Sequence, residues 1–387
     1  MNSKTISEFL KKEKWSLILL AAAAALFCAM RMFVKPAETA QEAASEYAEY
    51  ETGTVVEILS DSTARDESSD GAYRGEQMLT MKVDSGQYKG TEIIVNNYVG
   101  PLYGTPLKKG DSASIIINTY ADGNIRSTVY EYNRIPALIG ILIVFFAVTA
   151  AIGGRTGVRS LISLAVTIAC LFGILIPWLL KGASTLPAVF VVCLYIIIVS
   201  FTIIGGLNRK TVCAMLGTAA GTGFAMLFGI ISQYFTRIDG LRVADVEPLL
   251  QLRQSGIQVG LRGLLTAGIV ISSLGAVMDV AMSISSSLEE VHKANPKLGV
   301  KELFSSGMNI GRDMVGTMTN TLILAFLGSG FTLIVYLFSL GLAKYQLFTS
   351  AYVSIETISG ISSSIGMILA IPLTAVISAS LLAGKKQ

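Results

Sequence analysis

A single histidine, His292, stands in 387 residues, which excludes any site needing two or more imidazole ligands. The four cysteines, Cys28, Cys170, Cys193 and Cys213, all fall in apolar runs. They make no disulfide framework and read as small packing residues. Charged side chains amount to 15%, against about 25% in an ordinary soluble domain, so the chain cannot cover a water-facing surface over its whole length. That scarcity rules out a disordered chain, a coiled coil and a nucleic-acid binder with a basic surface. No Walker A loop, nucleophile elbow or metal-ligand spacing is present, so the expectation is a protein without cofactor or metal, and not an enzyme. What is abundant is apolar: 52% hydrophobic residues and a mean hydropathy of +0.60. Those values predict an α-helical polytopic membrane protein.

The few charges are unevenly spread. Residues 1–34 carry a net +3, residues 35–134 a net −7 and residues 135–387 a net +7. The middle block therefore reads as a water-soluble insertion between membrane parts. A bilayer takes about 20 mostly apolar residues per helix. On that basis eight spans are expected, at Trp15–Phe33, Ile135–Ile152, Val158–Leu180, Leu186–Leu207, Thr211–Tyr234, Leu261–Leu288, Met314–Leu340 and Tyr352–Leu382. The domain order is then a cytoplasmic tail with an anchor helix (1–34), an external domain (35–134), and a seven-span helical domain (135–387) with a cytoplasmic elbow at 288–312. The first span has basic residues before an Ala/Leu core, as a signal peptide has, but Phe27, Met30 and Arg31 occupy the candidate cleavage positions. It reads as an uncleaved anchor.

Orientation follows from the basic residues of the short loops. With the N-terminus inside, the inner segments hold fourteen, including Arg155, Arg159, Arg209, Lys210, Lys293 and Lys301, and the outer loops hold five. Both termini are thus expected in the cytoplasm of a bacterial cell, in a multi-pass plasma-membrane protein, with 35–134 external. Residues 36–51 read as an acidic linker or short helical stalk. Five strands follow at Thr54–Leu59, Gln77–Val83, Glu92–Asn97, Ala113–Thr119 and Ile125–Tyr130, separated by turn clusters such as Ser60–Gly75 and Gly100–Gly110. Alternating short strands of this kind predict a small all-β domain, an OB-like barrel or a sandwich. Its acidity argues against nucleic acid as a partner.

Ionisable groups inside spans are costly and therefore candidate functional groups. They are Asp279, Arg312 and Asp313 at the mouth of the seventh span, and Glu356. Helical spacing puts Asp279, Ser283 and Ser286 on one stripe, Asp313, Gly316, Thr317 and Asn320 on a second, and Glu356, Gly360 and Ser363 on a third. The rise of 1.5 Å per residue places Asp279 about 12 Å from the inner end of its helix and Asn320 about 10 Å in from Asp313, at one expected level. Glu356 falls near the outer end. Gly217 and Gly221 form a GxxxG packing face, GGRTG (Gly153–Gly157) reads as a tight cytoplasmic turn, and Gly328–Gly330 and Pro372 are expected to interrupt the last two spans. Glu289–Gly311 is expected as a surface amphipathic segment, with Leu303, Phe304 and Met308 on the membrane.

The stretches GAVMDVAMSISSSLEEV (Gly275–Val291) and ELFSSGMNIGRDMVGTMTNTLILAF (Glu302–Phe326), the GGRTG turn and the order of parts resemble the YibE/F family of bacterial membrane proteins. The resemblance implies an integral plasma-membrane protein and no particular activity. The layout of Gly275, Asp279, Glu289 and Glu290 before an elbow is similar to SecD and SecF, relatives of the resistance-nodulation-division transporters, and by that analogy implies a proton-carrying Asp279. The chain departs from them in having eight spans rather than six and a smaller external domain. The functional expectation is a transporter or permease of unnamed solute. Asp279 would carry protons, Ser283, Ser286, Thr317 and Asn320 would line the path, and Glu356 would serve the outer entrance. Its partners would be the lipid bilayer and a second copy or second multispan subunit. The alternative is a non-transporting assembly or regulatory protein whose external domain docks a partner. An aspartyl protease using Asp279 and Asp313 is disfavoured because the Gly-x-Gly-Asp context is absent.

Overall fold

The computed structural model describes residues 21–29, 48–119, 125–242, 246–254 and 260–383. They fall into two compact units, one within 38–151 and the other formed by 21–29 together with 152–383. The acidic linker ahead of residue 48, most of the expected anchor span and the tails lie outside the described residues.

The first unit is a barrel. Its strands are β1 (Ala48–Asp61), β2 (Ala64–Asp66), β3 (Ala72–Val83), β4 (Glu92–Val99), β5 (Ser112–Thr119) and β6 (Ile125–Tyr132). Five of them close a ring in the order β1-β5-β6-β4-β3 and back to β1, and β2 is a short flap on β3. Every pairing is antiparallel except β4 with β6, which runs parallel with Asn96 opposite Thr128. The long β1 serves two neighbours, and register shifts at Val55/Glu57 and Ile58/Ser60 bend it between them. Period-two alternation sends Leu79, Met81 and Val83 of β3 and Ala113, Ile115 and Ile117 of β5 inward, where they meet Val55, Val95 and Leu107. All five expected strands are present, and the domain is a barrel rather than a sandwich. The Ser60–Gly75 stretch, expected as turn, contains the β2–β3 hairpin, with Ala64 opposite Arg74.

In the second unit a long helix, α1 (Ile135–Leu180), begins within the barrel unit and ends here. It is followed by α2 (Thr185–Gly205), α3 (Arg209–Thr236), α4 (Val246–Gln254), α5 (Leu264–Ala294), α6 (Val300–Ser329), α7 (Phe331–Ser339), α8 (Lys344–Phe348) and α9 (Ala351–Ala383). Among the described residues five helices are long and apolar enough to cross a membrane, or six if α6 and α7, bent by 60° at Gly330, make one broken span. The expected eight differ from six for two reasons. The first falls mostly outside the described residues, and the second and third are joined in α1. In place of the expected tight turn the GGRTG stretch carries a kink between two helical arms, where Gly154 leaves the helical conformation at φ 54° and ψ −134°, a backbone region that glycine alone enters readily. Pro372 leaves α9 unbroken, whereas the expected break at Gly330 is present.

The elbow is also shorter than expected. α5 runs on to Ala294 and α6 starts at Val300, so only five residues, 295–299, connect them. Leu303 is fully buried and packs with Leu288, while Phe304 and Met308 join the same apolar cluster. These side chains find helix partners, and they do not lie flat on a surface.

Helix α9 is the centre of the bundle, packed on α3, α5 and α6. Small residues allow it: a Cβ on Gly221 would fall 2.6 Å from the Ala370 Cβ and 2.9 Å from the Gly366 carbonyl oxygen, and Gly217 abuts Thr374. The GxxxG motif is a packing face, as its spacing implies. Cys170, Cys193 and Cys213 are buried and free, and Cys28 is exposed and free. Tyr195 of α2 donates to the Ala23 carbonyl at 2.8 Å, which ties the 21–29 helix to the bundle.

Candidate functional site

Two features stand out in the helical unit: a polar face on α5 and α6, and a pocket at the α6–α7 bend. On α5, Gly268, Ser272, Gly275, Asp279, Ser283 and Glu290 are exposed, and Ser286 is half-buried. At 100° per residue all seven fall within about 80° of one another. The opposite face, with Val277, Val280, Ala281, Ile284 and Leu288, is the buried one. Asp279 therefore points out of its own bundle and has no hydrogen-bond or ionic partner among the described residues. The sequence reading carried this stripe only from Asp279 to Ser286. The same spacing of three and four extends it to Gly268 on one side and Glu290 on the other.

On α6, Asn309, Arg312, Asp313, Gly316, Thr317 and Asn320 are likewise exposed. Arg312 donates to the Asn309 side chain at 3.5 Å, and Thr317 turns its hydroxyl back to the Met314 carbonyl at 3.2 Å. Because α6 begins at Val300, Arg312 and Asp313 sit more than three turns from its start.

Packing contacts fix the relative levels. Gly221 touches both Val277 of α5 and Ala370 of α9, while Gly311 of α6 abuts Ile371, and Gly307 meets Leu288 and Ala375. Asp279, two residues beyond Val277, thus comes level with residues 311–316 of α6. Asn320 lies about 6–13 Å further along, nearer the level of Ser272 and Gly275. The structure does not put Asp279 and Asn320 at one level; Asp313 and Gly316 take that place.

Glu356 is half-buried near the start of α9 and lines a pocket of about 250 Å³. The walls are almost wholly apolar, including Phe326, Leu333, Leu337 and Tyr352, and the glutamate is the one charged lining group. Gly330 brings the bend against it: a Cβ there would lie 3.3 Å from the Glu356 Cγ. Of the residues expected to share a face with Glu356, Gly360 lines the same pocket, whereas Ser363 is packed away. Gly360 lies against Phe326, and Ser363 is 3.3 Å from the Ser272 hydroxyl. No hydrogen bond or ion pair joins Asp279, Asp313 and Glu356. The pocket-lining aromatics were missed in the sequence because an apolar residue in a span carries no signal of its own.

A third polar region does not make a passage. Thr218, Thr222, Ser362, Thr374 and Ser378 line the seam between α3 and α9, all buried, but the glycine contacts close that seam.

No curated protein and no solved structure matches the chain at a significant level. The likeness to SecD and SecF is not shown by these comparisons. The sequence model of the YibE/F-like protein family does match, over residues 141–384, from within α1 to the end of α9, and with the apolar helices it marks a membrane protein: the chain belongs to the YibE/F-like family.

Proposed function

We propose that this protein is a multi-pass transporter or permease whose path follows the polar faces of α5 and α6, with Asp279 as its proton-carrying group. One observation carries the reading. Over 23 residues, 268 to 290, an exposed face of a membrane-length helix presents only Gly, Ser, Asp and Glu. Lipid tails offer such a face no hydrogen bonds, and ionisable residues in spans turn to water-filled cavities or to partners. Asp279, level with Asp313 and Gly316, is the inner station, with Ser283, Ser286, Thr317 and Asn320 lining the path and Arg312 beside it. Glu356 in its apolar pocket is the outer one.

The eight-span arrangement belongs to the same proposal. At 1.5 Å per residue, 46 residues of α1 would reach about 69 Å, over twice the hydrocarbon thickness of about 30 Å. The break at Gly154 divides α1 into two span-length arms, 135–153 and 155–180. Both termini are then cytoplasmic, the barrel is external, and the protein is a plasma-membrane protein without enzymatic activity. The strand order and the parallel β4–β6 closure support an OB-like reading of the barrel. A second copy or a second multispan subunit would close the path on its open side.

The test is reconstitution into vesicles loaded with a pH-sensitive dye. Wild type is expected to carry a proton flux that Asp279→Asn abolishes while its level in the membrane is unchanged. Equal flux through both proteins refutes the role of Asp279. The exposed Tyr50–Tyr130 pair on the barrel, 5.6 Å between ring centroids, favours the second reading, a regulatory protein docking a partner there. On that reading deleting residues 52–132 abolishes function and Asp279→Asn does not.

A further inference from the structure

The barrel places an apolar hairpin tip beside the point where the chain enters its first described span. Strands β4 and β6 are parallel, with Asn96 opposite Thr128, so they leave the barrel at the same end. Counting on from that pair, Gly100 is opposite Tyr132, and residues 101–103 are level with 133–135. Neighbouring strands lie about 4.8 Å apart. The chain beyond β6 goes directly into α1 at Ile135; the chain beyond β4 turns back on itself. Gly100 and Tyr103 exchange backbone hydrogen bonds, 2.8 Å from the Gly100 N–H and 3.3 Å from the Tyr103 N–H, which leaves Pro101 and Leu102 at the tip.

Both branches are held firmly. The Asn133 N–H donates to the Ser112 carbonyl at 3.0 Å and its side-chain amide to the Ser112 hydroxyl at 3.1 Å, while its Oδ1 accepts from the Ile135 N–H at 3.1 Å. The first turn of α1 is thereby fixed to the barrel. Arg134 reaches across to the Thr105 hydroxyl at 3.5 Å, linking the span entry to the hairpin's own stem. That stem is anchored from inside by buried polar groups. Asn97 donates to the Thr105 carbonyl at 3.0 Å, and the Gln77 side chain pairs with both backbone groups of Leu107 at 2.8 and 3.2 Å. Gly104, at φ 71°, reverses the chain where a Cβ would strike the Tyr98 carbonyl. On this rigid support Leu102 is 96% exposed and Tyr103 63% exposed.

We propose that the Pro101–Leu102–Tyr103 tip is a membrane-surface anchor, seated at the headgroup–acyl boundary of the leaflet that α1 enters. A leucine presented wholly to water costs its full transfer free energy. The same leucine beside a tyrosine, at the depth where a span begins, matches the aromatic belt of membrane interfaces. The interfacial layer between hydrocarbon and water is about 5–7 Å deep on each side, enough to take two side chains level with Ile135. The occupant is the lipid surface, and the consequence is that the barrel end is held against the bilayer by two attachments instead of one.

The experiment uses the full chain in phosphatidylcholine nanodiscs, with Trp15 and Trp178 replaced by Phe and one reporter introduced as Leu102→Trp. A second protein carries Lys89→Trp instead. Lys89 lies in the turn joining β3 to β4, at the opposite end of the barrel. The reporter at 102 is expected to be quenched by brominated phosphatidylcholine and to resist acrylamide several-fold better than the reporter at 89. If the two are equally open to acrylamide and neither responds to brominated lipid, the proposal is wrong. Should Leu102→Trp disturb the hairpin, seen as altered circular dichroism of the barrel, Tyr103→Trp gives the same reading with the ring already seated over Gly100.

Discussion

Replacing Gly221 by alanine adds one methyl group at the point where α3, α5 and α9 meet. Its Cβ would stand 2.6 Å from the Ala370 Cβ, 2.8 Å from the Val277 Cγ1 and 2.9 Å from the Gly366 carbonyl oxygen. Carbon atoms rest about 3.5–4.0 Å apart, so α3 must withdraw by about 1 Å, against two other helices at once. Overpacking of this kind costs about 1–3 kcal/mol, and the upper end applies because one obstacle is backbone that cannot rotate away. Alanine recovers about 1 kcal/mol of helix propensity over glycine, leaving a net loss of about 2 kcal/mol. Gly223→Ala is the control, since its nearest new neighbour is Phe190 at an ordinary 3.9 Å; it should be neutral or slightly stabilising. Equilibrium unfolding in mixed micelles measures both. Adding Ala370→Gly to Gly221→Ala removes the tightest contact and should restore part of the stability, but not all, because Val277 and the Gly366 carbonyl remain. A Gly221→Ala protein as stable as Gly223→Ala would refute the close three-helix contact.

Other outcomes test the barrel and the pocket. Gln77→Leu leaves the Leu107 N–H without its partner and the Asn97 amide with only its bond to the Thr105 carbonyl, at about 1–3 kcal/mol for the buried group orphaned; hydrogen exchange should speed up across 100–107 and leave β5 unchanged. The Asp61 carboxylate accepts from the Thr63 N–H and hydroxyl at 2.8 and 2.7 Å and from Gln77 at 2.8 Å, and these bonds, Thr63 foremost, hold its pKa below the ordinary 3.8. The stabilisation is therefore present above pH 3.8 and is lost as pH falls through the depressed value, so an acid series of barrel melting temperatures should be flatter for Asp61→Asn. Gly330→Leu should fill the pocket at the α6–α7 bend and slow thiol labelling of Glu356→Cys several-fold, read against the reactivity of Cys28; unchanged labelling would mean that Gly330 does not wall the site.

Periodicity made much of this protein legible in its residues alone. The alternation of Leu79, Met81 and Val83 marks β3, and long apolar runs mark α2, α3 and α9, and the start of α5, to within a few residues, because burial on one face or in lipid imposes a repeat on neighbouring positions. The same reasoning found Gly217 and Gly221 as a packing face and Asp279 as an isolated carboxylate. It lost the β2–β3 hairpin, whose Arg65, Asp66 and Arg74 are water-facing and follow no apolar repeat, and it ended α5 too early because Glu289 and Glu290 look like the edge of a span. Closure of the barrel by β4 and β6 depends on strands far apart in sequence, as does the level of Asp279 beside Asp313 rather than Asn320, which is set by glycine contacts with α9. That the stripe from Gly268 to Glu290 faces out of the bundle, and that Glu356 alone enters an apolar pocket, are likewise products of tertiary packing. A local pattern states that a helix has two unlike faces; only the neighbouring helices decide which of them is covered.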